Sequence, residues 1–113
     1  MVIIGFSTTT SLLIPNILCS HFKHCAVITQ KHNKMFLYQF VRYKHTDIIE
    51  INDSGINKLA KYGWVFIYIP KNISSDFNLR NAITCVDMVK RAIGLKRLSI
   101  QTPDKLYHYL IGI

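Results

Sequence analysis

The 113 residues, 50% of them apolar, suffice for one domain around one core and leave little for a second. The 14 Lys and Arg against 6 Asp and Glu give a net charge of +8, which predicts attraction to polyanions in solution. The cations are scattered from Lys23 to Lys105 with no basic block or binding motif, which argues against a dedicated nucleic-acid arm, and the 5 glycines form no phosphate-cradling loop.

In chain order, Val2 to Phe6 reads as a short strand, and Ser7 to Leu18 as a polar turn leading into a short apolar piece interrupted by Pro15. This N-terminal stretch has no Lys or Arg before His21 and has Leu18, not a small residue, before Cys19. It is therefore expected to be part of the fold rather than a leader or lipid anchor. No run approaches the roughly 18 uninterrupted apolar residues of a membrane span.

His24 to Thr29 is rich in β-branched residues and reads as a strand, joined by the turn signal Lys31-His32-Asn33-Lys34 to a second strand, Met35 to Tyr43. The pair is expected to form an antiparallel hairpin. Asp47 to Ile51 is a further short strand. Ser54 is the expected cap of a small helix carrying Ile56, Leu59 and Ala60, which Gly63 ends. Trp64 to Ile69 is apolar on both faces and is expected in the middle of the sheet, followed by a polar loop from Lys71 to Arg80. Two helices close the chain, roughly Ala82 to Ile93 and Pro103 to Leu110, the second with Thr102 as N-cap and Pro103 at its first position. Leu106, Tyr109 and Leu110 are its expected packing face, and Asp87, Lys90 and Arg91 the solvated side of the first. Strands followed by helices predict one α+β domain over residues 1–113, a mainly antiparallel sheet of four to five strands packed on one side by two or three helices.

Three residues of this layout carry chemistry. Cys85 opens the run Thr84-Cys85-Val86-Asp87-Met88-Val89-Lys90-Arg91, where the positive end of a helix dipole favours a thiolate. His24 begins a strand that the late helix is expected to cross, so imidazole and thiol can meet where helix and sheet come together. On the hairpin His24, Ala26 and Ile28 share one face, and Leu37, Gln39 and Val41 share a face of the partner strand. Gln39 is the polar residue of an apolar row. Facing His24, its amide oxygen would accept from one ring nitrogen and leave the other for the thiol, the orienting role of the third member of a triad.

The order of an N-terminal segment Gly5-Phe6-Ser7-Thr8-Thr9-Thr10-Ser11, a strand opening with His24-Cys25-Ala26-Val27-Ile28, a strand with Leu37-Tyr38-Gln39-Phe40 and a late helix opening with Thr84-Cys85-Val86-Asp87 resembles the circularly permuted papain-like hydrolases of the NlpC type. In that group, which includes lecithin retinol acyltransferase and its relatives, the His precedes the Cys. The resemblance spans about Gly5 to Leu110. It implies a permuted papain-like fold with Cys85 as nucleophile, His24 as general base and Gln39 as third polar residue, Tyr38 and His45 being the alternatives for that place. It implies acyl transfer on an amide or ester, with peptidoglycan peptide, protein or lipid ester as candidate substrates and no cofactor. Cys25 directly after the His, and the short chain, depart from most relatives.

Other readings stand beside this one. A lone helical cysteine is more often a small buried hydrophobe, which would leave a catalytically inactive papain-like binding module such as a virus- or phage-encoded accessory protein. In a third reading the chain is a basic nucleic-acid-binding domain. Cys19, His21, His24, Cys25 and His32 are zinc-ligand types, but they lack the paired spacing of a structural site, so no metal is expected. The 3 cysteines, an odd number without a Cys-x-x-Cys pair, suit a reducing, cytoplasmic compartment and no disulfide framework.

Overall fold

A computed structural model describes residues 1–8, 21–42, 45–73 and 82–112. The expectations for the segment after Thr8, for Cys19 and for most of the Lys71 to Arg80 loop fall outside these residues. The described elements are, in order, β1 (Val2–Ser7), β2 (His24–Lys31), β3 (Lys34–Arg42), β4 (His45–Ile51), α1 (Asp53–Lys61), β5 (Val65–Ile69), α2 (Cys85–Ile93) and α3 (Pro103–Leu110). The strands form one five-stranded sheet in the order β4-β3-β2-β1-β5, with every neighbouring pair antiparallel. The architecture is α+β. Among the described residues no helix is long and apolar enough to cross a membrane.

The hairpin forms where the turn signal places it. His32 and Asn33 both have positive φ, 53° and 62°, the condition for a two-residue turn whose twist matches that of the flanking strands. This turn sets the register Ile28 opposite Leu37 and Val27 opposite Tyr38, so side chains two apart on β2 and β3 share a face.

Alternation along the strands then builds two apolar layers. Val2, Ile4, Phe6, Cys25, Val27 and Phe40 face α2 and α3, which contribute Val86, Met88, Val89, Ile93 and Leu106. Ile3, Ala26, Ile28 and Leu37 line the opposite face, where Ile56 of α1 and the half-buried Trp64 and Phe66 cover them. The helices therefore lie on both sides of the sheet rather than one. Ile56 is the reason: it is the buried residue of α1, and it packs behind the hairpin.

Further expectations are corrected. β5 is an edge strand paired only with β1, and its two-sided apolar pattern is half-exposed, with Tyr68 60% accessible; the interior place falls to β1, whose six residues are all buried. Asn52, not Ser54, caps α1, accepting from Gly55 N at 2.8 Å. α2 begins at Cys85, because Thr84 is extended and serves as its N-cap. On α3 the packing residue beside Leu106 and Leu110 is Tyr107, edge-on to Phe6 at 5.3 Å, whereas Tyr109 is exposed beneath the Arg97 guanidinium. Lys90 is not on a solvated face. Its stem is buried and its Nζ donates to the carbonyls of Arg97 at 2.8 Å and Ile100 at 2.9 Å, stapling the turn between α2 and α3.

Candidate functional site

The β1–β2 ladder ends at the pair Ser7–His24, so His24 stands at the rim of the sheet. The segment entering it is held from two sides. Lys23 N donates to Ser7 O at 2.8 Å, and the Asp104 carboxylate, in the first turn of α3, accepts from the backbone N–H groups of His21 at 3.0 Å and Phe22 at 2.8 Å. Phe22 itself packs against Phe6 and Tyr107. The last α-helix thereby fixes where β2 begins.

Gln39 shares the face of His24, because the register Val27 opposite Tyr38 and Ile28 opposite Leu37 puts both on the same side of the hairpin. Its Oε1 lies 3.0 Å from His24 Nε2, and since a carbonyl oxygen only accepts, Nε2 carries the proton and donates. Nδ1 is then the ring nitrogen with a free lone pair; it is buried and has no well-formed hydrogen bond. The other candidates for the third place are elsewhere: Tyr38 packs in the helix-side layer, and His45 pairs with Asp47 on the exposed edge strand at 3.2 Å. Trp64 meets the imidazole edge-on, with centroids 6.0 Å apart at 88°, and stacks on Phe66. Both indole and phenyl lie over Gly5, where a Cβ would come within 2.9 Å of each. The glycine is what lets the aromatic wall reach His24.

Cys85 is the first residue of α2. Thr84 Oγ1 accepts from Asp87 N at 3.0 Å, while Asp87 Oδ2 accepts from Ile83 N at 3.1 Å and from Arg91 Nε at 3.0 Å. This reciprocal cap defines the helix start to the residue. The thiol is 7% exposed and lies in the helix-side layer with Cys25. A side-chain hydrogen bond from Cys25 holds its pKa well below the ordinary thiol range, against the opposing effect of burial and with further help from the neighbouring His24. Among the described residues His24 Nδ1 makes no hydrogen bond to this sulfur or to any other atom. Neither Cys25 nor Cys85 is in a disulfide.

Among the described residues no three His, Cys, Asp or Glu side chains gather as metal ligands. No family model, curated protein or solved structure matches the chain.

The structure thus brings together His24, Gln39 and Cys85, the residues singled out by the sequence, and adds Cys25, Trp64, Gly5 and Asp104. The period-2 pattern of the hairpin puts Cys25 on the face opposite His24, but only the packing of α2 shows that this is the face the Cys85 helix covers. Trp64, Gly5 and Asp104 carried no local signal, because each acts on the site from a distant part of the chain.

Proposed function

We propose that the protein is a small thiol hydrolase or acyltransferase of permuted papain-like fold, acting on an amide or ester carbonyl. The observation that carries this reading is the polarised His24 ring, with Nε2–H bound to Gln39 Oε1 at 3.0 Å and Nδ1 left without a hydrogen-bond partner. That is the tautomer a general base needs.

In the reaction so inferred, Nδ1 takes the Cys85 proton and the sulfur attacks the carbonyl. The N–H groups of Cys85 and Val86 at the start of α2, ahead of the Asp87 N–H that Thr84 Oγ1 already holds, stabilise the oxyanion. The imidazolium returns its proton to the leaving amine or alcohol. Water or a second acceptor, deprotonated by the same nitrogen, then releases the acyl group from sulfur. Peptide, protein and lipid acyl groups are the substrate classes this chemistry serves.

The test is acylation of Cys85 itself. With p-nitrophenyl acetate the parent should release a burst equal to the enzyme concentration, and Cys85→Ala none. Gln39→Ala should slow the burst by up to about a hundredfold, the cost of a misaligned base. In parallel, the pH profile of Cys85 alkylation by iodoacetamide should have its midpoint below the ~8.5 of a free thiol and move upward in His24→Ala. No burst, together with an alkylation profile indifferent to His24, would refute the enzyme and leave a binding module.

A further inference from the structure

Cys25 has no part in the acyl-transfer scheme, yet its side chain shares one buried layer with Cys85 and interacts with that thiol. The contact is imposed by the fold. Cys25 follows His24 on β2, so its side chain points to the helix-side face, fully buried, where α2 packs with Cys85 as its first residue. Phe6, Phe22, Val27, Ala82 and Val86 enclose the same layer. Two buried thiols in one apolar layer, neither in a disulfide and one of them at a helix N-terminus, form the arrangement in which an oxidised cysteine meets a resolving partner.

We propose that Cys25 and Cys85 form a reversible intramolecular disulfide under hydroperoxide, Cys25 being the resolving cysteine. The Cys85 thiolate attacks the terminal peroxide oxygen; the S–O bond forms, the O–O bond breaks, and the other oxygen leaves as hydroxide or alkoxide and is protonated. The Cys25 sulfur then attacks the Cys85 sulfenic sulfur. The S–S bond forms, the S–O bond breaks, and the departing hydroxide takes the Cys25 proton as water. Overall two thiols are oxidised and one hydroperoxide is reduced to water and an alcohol, or to two waters from hydrogen peroxide. The disulfide silences Cys85 and shields it from sulfinic acid, and an external dithiol restores both residues. None of this requires that Cys85 attack a carbonyl, so it stands apart from the proposed function.

The full chain and its Cys19→Ser variant are treated with hydrogen peroxide, unfolded in N-ethylmaleimide and mapped by non-reducing peptide mass spectrometry. The expected product is a Cys25–Cys85 cross-linked peptide in monomeric protein, reversed by dithiothreitol with recovery of both thiols. In Cys25→Ser and Cys25→Ala the dithiothreitol-recoverable fraction of Cys85 should fall from nearly all to nearly none, with sulfinic acid in its place. The proposal is overturned if the parent yields Cys85 sulfinic acid while Cys25 is still alkylatable, or if cross-links form only to Cys19 or between chains. The parent's peptide map decides this even if both Cys25 variants fail to fold.

Discussion

At the scale of single residues, Cys85 shows how two neighbours outweigh burial. Its surroundings, an apolar layer at 7% exposure, penalise a thiolate, and the Cys25 hydrogen bond and His24 offset that penalty. The lowered pKa has a consequence for stability. Between the folded pKa and the ~8.5 of an unfolded thiol, the unfolded chain binds more protons than the folded one, so stability rises with pH across that window. The contribution is fully present above the unfolded value and is lost as pH falls through the folded one. Urea midpoints of the reduced parent should therefore climb with pH up to about 8.5, and those of Cys85→Ala should climb less. Equal slopes in the two proteins would mean that the folded thiol has an ordinary pKa. Gln39 illustrates the complementary rule, that a polar residue in an apolar row requires a partner, here the imidazole it orients.

At the scale of elements, α2 is defined at both ends by side chains acting on backbone. The Thr84–Asp87 cap places Cys85 in the first turn, and at the other end Gly94, with φ of 72°, terminates the helix in the left-handed conformation. Beyond it the Lys90 staple holds the connection to α3. Lys90→Met keeps most of the stem's apolar packing but removes both charge-assisted bonds, leaving two carbonyls short of donors. It should cost about 1.5–3 kcal/mol by urea unfolding and speed amide exchange at Ile100, whose N–H donates to Arg97 O. An unchanged exchange rate would show that the turn holds without the ammonium.

At the scale of the whole molecule, the site is assembled from segments far apart in sequence. Asp104 ties α3 to the entrance of β2 across 83 and 82 residues, and the aromatic trio Phe6, Phe22 and Tyr107 packs beneath that junction. On the other side of the sheet Gly5 admits Trp64 and Phe66. Gly5→Ala places a methyl group 2.9 Å from both rings and should destabilise the fold by about 1–3 kcal/mol through overpacking. Because Trp64 leans on His24, the same change should shift the tryptophan emission and reduce the p-nitrophenyl acetate burst rate. Loss of stability with an unaltered emission spectrum would show that the wall yields elsewhere than at Trp64.

What the sequence by itself determined was local and periodic. The β2–β3 hairpin, the strand at Val2, the cap Thr102 and a late helix with Cys85 near its start follow from alternation, turn chemistry and capping, which act over a few residues. The tertiary structure alone decided the rest. That β5 is an edge, that α1 covers the second face, that Lys90 turns inward to two carbonyls and that Tyr107 rather than Tyr109 packs are outcomes of sheet order and long-range docking. Hydrophobic pattern says which residues seek a core but not which neighbour supplies it. Nor does it say that the thiols of Cys25 and Cys85, 60 positions apart by their numbers, end in one buried layer.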